Sequence, residues 1–243
     1  MSSDGYSDAG AVSEMVRVAL AVNALISALV TVFAIQYLAA LDGVAGGELG
    51  GIGDVQSAAH RLDVGNGITF LAWFVCGVLF IVWTHRTYGN LAPLGASGMR
   101  FRQGWAVAGW LVPVLAMWRP RQILGDAWRA SDGALPASAN RTEWGSRSVP
   151  RLLTAWWVLW IAGACAERLS LSLGDGTVDS ARATLAVRVG GGVCLVAAAL
   201  LAVWVVGALT GRQQARARVL GAADDMAGAA VAPGPAPERP ATV

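Results

Sequence analysis

The stretch GWAVAGWLVPVLAMW, from Gly104 to Trp118, is apolar enough for lipid and too short to cross it. At about 1.5 Å of rise per residue a helix of this length reaches about 22 Å, against a hydrocarbon core of roughly 30 Å. Pro113 falls in its second half, where a residue without an N–H interrupts the helical ladder. Both flanks are basic, with Arg100 and Arg102 before the segment and Arg119 and Arg121 after it. Basic residues in short connections favour the cytoplasmic side, so a full crossing would leave one flank on the wrong side. Length and charge together predict a segment that dips into the inner leaflet and returns, or lies along it.

Working outward, four longer apolar runs predict membrane-crossing helices over about 18–41, 68–86, 152–173 and 183–211. His85 and Arg86 lengthen the second by reaching to the interface. The first is too long for the apolar core of a signal peptide. With 55% hydrophobic and only 14% charged residues, the chain is excluded from ordinary soluble domains. The expected fold is an all-α polytopic membrane helix bundle: four transmembrane helices, one short re-entrant or interfacial segment over 104–118, and an amphipathic surface helix over 120–131. In that last helix Ile123, Leu124, Ala127 and Trp128 share one face, Arg121, Asp126 and Arg129 point elsewhere, and Pro120 suits the start. The membrane domain occupies 15–218, and residues 1–14 and 219–243 are expected to be disordered, the latter being Ala- and Pro-rich.

Arginine supplies all eighteen basic residues. Three lie in 84–103, six in 119–151 and three in 212–218, against four in and around the acidic connections, namely Arg61, Arg168, Arg182 and Arg188. This asymmetry predicts a plasma-membrane protein with both termini cytoplasmic and with 42–67 and 174–182 outside.

Several features invite a functional reading beside a structural one. Asn23, Ser27 and Thr31 recur every four residues and form a polar stripe facing other helices, for packing or for a solute path. The glycine-rich connection 42–67 lacks the strand, helix and lysine that a phosphate-cradling loop needs, and is expected to be flexible. Cys76, Cys165 and Cys194 sit in apolar runs as small core residues, with a Cys165–Cys194 bridge as the other reading. Glu167 and Arg188 fall near the outer ends of their helices and are candidates for an interfacial ion pair or a substrate gate. Gly190 to Gly192 allow close helix packing or a local unwinding.

Catalysis needs clustered polar groups, and the two histidines, His60 and His85, have no partner at ligand spacing. No catalytic or phosphate-loop pattern occurs. The expectation is a non-enzymatic protein with no cofactor and no bound metal. What stands out is tryptophan and arginine on the inner face: Trp83, Trp105, Trp110, Trp118, Trp128 and Trp144 with Arg86, Arg100, Arg102, Arg119, Arg121 and Arg129. Tryptophan prefers the headgroup level, and an arginine near anionic lipid contributes about 1 kcal/mol. The candidate partners are membrane lipids, or a protein partner or second copy of the chain; nucleic acid is not expected. The alternative function is a small transporter or channel subunit.

Trp83, Arg86 and Asn90, then Gly104 to Val107 with Trp110 and Pro113, then Arg119-Pro120 and Trp128 to Ser131, and finally Leu209 to Ala217, form a set of motifs. On these the chain resembles, over about 65–218, an uncharacterised bacterial multipass membrane family known as domain of unknown function 4328. The resemblance implies a multipass membrane protein and brings no activity with it. It adds Asn90 and Pro113 to the candidate inner-face element. Ala116, Gln103 and Asp126 depart from the residues usual in that family, which are asparagine, proline and glutamate.

Overall fold

The computed structural model describes residues 5–46, 51–173 and 176–231. Its helices are α1 (Gly10–Ala45), α2 (Gly51–Gly89), α3 (Trp105–Leu111), α4 (Pro113–Ala116), α5 (Arg119–Ala130), α6 (Arg141–Gly145), α7 (Arg151–Leu173) and α8 (Val178–Val231). No strand occurs among the described residues, and the fold is all-α. Four helices, α1, α2, α7 and α8, are long and apolar enough to cross a membrane. Their outward faces keep large apolar side chains exposed, among them Leu25, Phe70, Leu71 and Val193. That pattern suits helices solvated by lipid.

Helix α8 packs against both α1 and α7, and α1 packs against α2. Between lipid-solvated helices no hydrophobic difference drives association, so close approach through small residues matters. Gly191 abuts Ala166 of α7, where an added Cβ would lie 2.8 Å from the Ala166 Cβ, and a Cβ on Gly192 would collide with Thr31 of α1. The helix runs unbroken through Gly190 to Gly192; Gly191 and Gly192 serve packing, while a Cβ on Gly190 would meet nothing within 4 Å.

The chain from Gly104 to Trp118 doubles back. Helix α3 ends at Val112, whose extended backbone (φ −89°, ψ 111°) is what a residue preceding proline favours, and α4 starts at Pro113. After a second break at Trp118 the chain enters α5. The two ends meet: a Cβ on Gly109 would sit 3.1 Å from the Arg119 Cβ, and the Arg119 guanidinium lies over both Phe101 and Trp105. At the bend Leu111, Val114 and Met117 are exposed.

Helix α5 does not lie bare on a surface. Its Ile123, Leu124 and Ala127 are buried as the amphipathic pattern predicts and Trp128 is half-buried, yet Gly125, Asp126 and Ala130 are buried too. Segments 91–101 and 132–149 cover it, tied by a bridge between Ala96 and Ala139. Gly95 there has φ +83° and the Ala137 carbonyl oxygen occupies the space a Cβ would need, so only glycine fits. In the same cover α6 is started by Asn140 and Glu143 in a reciprocal capping box, with Trp144 Nε1 donating to Ser97 O at 2.9 Å.

Three expectations need correction. Residues 5–14 are ordered: α1 begins at Gly10, and Ala9, Val12 and Val16 are buried in the main core. The connection 42–67 is largely helical rather than a flexible loop, because Leu62 and its neighbours pack with Ala34 and Leu185 in a second apolar cluster; residues 47–50 lie outside the described residues. Helix α8 continues past 218 to Val231, while 1–4 and 232–243 lie outside the described residues.

Candidate functional site

At the end of the bundle that carries the doubled-back segment, α2, α5 and α8 meet the amino-terminal segment, and their polar side chains form one buried network. Trp83, fully buried, donates from Nε1 to Thr210 Oγ1 at 3.0 Å. Two turns on, Asn90 donates from Nδ2 to Ser7 O (2.8 Å), and its Oδ1 accepts from Ser7 N (3.1 Å). Gln213 of α8 donates to Thr87 O (2.8 Å) and to Ser131 Oγ (3.3 Å). A buried amide left unpaired costs about 1–3 kcal/mol, so this pairing fixes register among the elements it joins.

Arg216, one turn beyond Gln213, is only 1% exposed. Its Nε donates to Leu94 O (2.7 Å), and its terminal nitrogens donate to the carbonyls of Asp132 (2.8 Å), Leu135 (3.2 Å) and Pro136 (2.9 Å). The planar fork thus gathers both covering segments onto α8.

Asp126 is the buried acid of this layer, also 1% exposed. Arg100 Nε stands 3.5 Å from its Oδ2 and an Arg129 terminal nitrogen 3.6 Å from its Oδ1, contacts between charges rather than hydrogen bonds. Burial raises its pKa above the usual carboxylate value, and Arg100, Arg129 and Arg141 pull it back down.

The predicted inner-face residues divide between these roles. Trp83 and Asn90 are wholly buried in the network. Trp110 is edge-on to Phe80 (5.5 Å), Trp157 (6.1 Å) and Trp160 (5.9 Å). Trp128 stacks on Trp204 at 5.8 Å beneath the Arg212 guanidinium, 4.6 Å away. Arg121 donates to Thr154 Oγ1 (2.9 Å) and Arg129 to Arg147 O (3.0 Å). Arg86, Trp105, Pro113 and Trp118 remain exposed, with Arg119 partly so. At the other end of the bundle Arg188 Nε lies 4.0 Å from Glu167 Oε2, but its shorter contact is a 2.8 Å hydrogen bond to Asn66 Oδ1. Cys76, Cys165 and Cys194 are free thiols.

The family model for a domain of unknown function, DUF4328, matches residues 52–211. The chain belongs to the DUF4328 family. The DUF4328 match takes in α2, the doubled-back segment, α5 and α7, and stops short of Gln213 and Arg216. Neither the curated proteins nor the solved structures give a match to this DUF4328 member. Ser7 was not among the residues the sequence singled out, and Gln213 and Arg216 entered only as members of the Leu209 to Ala217 motif and of the basic run 212–218. A glutamine and an arginine just past a span read as an ordinary basic stub, and nothing local marks them as buried.

Proposed function

We propose that this is a multipass protein of the plasma membrane, with both termini cytoplasmic, that acts without catalysis by engaging anionic lipid headgroups through its inner face. The observation that carries this reading is the meeting of the two ends of 104–118, which puts Arg119 beside Phe101 and Trp105. Around that point Arg86, Arg102, Trp105 and Trp118 are exposed. Beyond it the apolar bend of Leu111, Val114 and Met117 provides a lipid-soluble wedge. Tryptophan at headgroup level, arginine able to reach phosphate, and an apolar tip below them make an inner-leaflet anchor with a preference for negative charge.

Arg121 and Arg129 are occupied by Thr154 and by Asp126 with Arg147, so they belong to the support of the element. Native mass spectrometry of the protein released from phosphatidylglycerol and phosphatidylcholine mixtures tests the reading. Replacing Arg86, Arg102 and Arg119 together by glutamine is expected to cut retention of phosphatidylglycerol severalfold, leaving phosphatidylcholine unchanged. Equal retention by variant and wild type removes the proposal.

A further inference from the structure

A cavity of about 440 Å³ lies among α1, α2, α7, α8 and the doubled-back segment. That volume falls within the roughly 300–1,000 Å³ of small-molecule sites. Aromatic and aliphatic side chains dominate its wall, and among the described residues no charged side chain lines it. Three of its lining residues nevertheless have a buried polar atom without a hydrogen-bond partner: Asn23 Oδ1, Thr69 Oγ1 and Trp110 Nε1. Leaving such atoms unpaired costs about 1–3 kcal/mol each, so three around one cavity point to a ligand that completes them.

The chemistry of these atoms constrains that ligand. An indole Nε1 only donates, so the ligand presents an acceptor to Trp110. With no charged wall residue to pair with, the ligand is neutral. Depth constrains it further. The Trp110 ring is held 5.9 Å from that of Trp160, which is nine residues into the bundle from Arg151, or about 14 Å along the helix. Asn23 is six residues, about 9 Å, beyond Arg17. The headgroup region is only about 5–8 Å deep on each side, so the unpaired groups of Trp110 and Asn23 reach below the level of phospholipid ester groups. The rim is open to the lipid side, where Trp73 is 50% and Leu111 69% exposed.

We propose that this cavity is a binding site, entered laterally from the bilayer, for a neutral membrane-soluble molecule whose carbonyl oxygen accepts from Trp110 Nε1. The occupant is a carbonyl compound dissolved in the hydrocarbon core, not a phospholipid of the surrounding leaflet. This inference stands independently of the headgroup reading, which rests on the exposed arginines and tryptophans around Arg119 and shares only the rim residue Leu111 with the cavity.

Photolabelling of the full chain in phosphatidylcholine nanodiscs with 4-dodecylbenzophenone, an aryl ketone that inserts into neighbouring C–H bonds on illumination, tests it. Label is expected on α2 between Thr69 and Ile81 and on α7 near Trp156 to Trp160, at about one per chain. Excess 2-tridecanone should displace it and tridecane should not. Trp110→Phe, which keeps a ring and deletes the donor, should weaken tridecanone competition about fivefold to tenfold. Gly77→Leu should abolish the cavity label, since Gly77 lines the cavity and nothing lies within 4 Å of the place its Cβ would take. Ala199→Leu serves the same purpose if Gly77→Leu does not elute and absorb as a folded helix bundle. Labelling spread over Leu25, Leu29 and other lipid-facing residues, equal competition by the alkane, or Trp110→Phe behaving as wild type would each overturn the proposal.

Discussion

The guanidinium of Arg119 lies 4.5 Å from the centroid of the Phe101 ring, although the whole apolar segment from Gly104 to Trp118 separates the two residues in the chain. A second ring, that of Trp105, stands 5.4 Å from the same guanidinium. A cation held over aromatic faces is stabilised by about 0.5–2 kcal/mol depending on its exposure to water. More important than the energy is the geometry, since a helix crossing a bilayer would separate these groups by its whole length.

That closure gives a topological prediction. Single cysteines introduced as Ala92→Cys and Ser138→Cys, with Cys76, Cys165 and Cys194 replaced, should react with a membrane-impermeant maleimide from the same side of sealed vesicles. Labelling from opposite sides would mean that 104–118 crosses the membrane and that the closure is absent.

Arg216 has four backbone carbonyls as its hydrogen-bond partners. Arg216→Met should lower stability by about 1.5–3 kcal/mol, as expected when buried carbonyls lose a charged hydrogen-bond donor. Arg216→Lys should recover little, because one ammonium cannot reach the acceptors that a planar fork serves. Thermal unfolding in detergent measures both, and a lysine variant melting with wild type would contradict the role assigned to the fork.

Asn90 joins the end of α2 to Ser7 through both faces of its amide. Asn90→Leu is expected to release residues 5–9, with hydrogen exchange there accelerating about tenfold or more for the 1–3 kcal/mol that the lost pairing represents. Exchange unchanged at Ser7 would show that the apolar contacts of Ala9 and Val12 hold the segment alone.

Asp126 carries a pH dependence. Its pKa in the folded chain is raised above the ordinary 3.8. Between those two values the folded state binds more protons than the unfolded state, so stability falls as pH rises through the raised pKa and is recovered on acidification towards about 3.8. Asp126→Asn should therefore gain on wild type as pH increases across that window and draw level with it at the acid end. Melting temperatures of the pair that run parallel across the window would remove Asp126 as the source.

The legible part of the candidate site was the part governed by local pattern. Pro113 and the arginines on either side located the doubled-back segment, and the spacing of Ile123, Leu124 and Ala127 located α5. Trp83, Trp110 and Trp128 were also found, but their surroundings were not. Tryptophan suits a headgroup boundary and a helix interface equally well, and only neighbours from α7 and α8 distinguish the two. Asp126 was read as pointing away from the apolar face, correctly for one helix surface, yet the 91–101 and 132–149 segments cover that side as well.

By itself the sequence determined the helical class, the four long apolar helices and the break in the short one, because chain length, apolar runs and a proline act within a single element. Tertiary structure alone decided that α1 starts at Gly10, that α8 runs to Val231, that Arg216 and Gln213 are buried, and that Asn23, Thr69 and Trp110 surround one cavity. Those outcomes depend on which distant surfaces meet, and a polar side chain carries no local mark of whether its partner is water, lipid or a carbonyl many residues away.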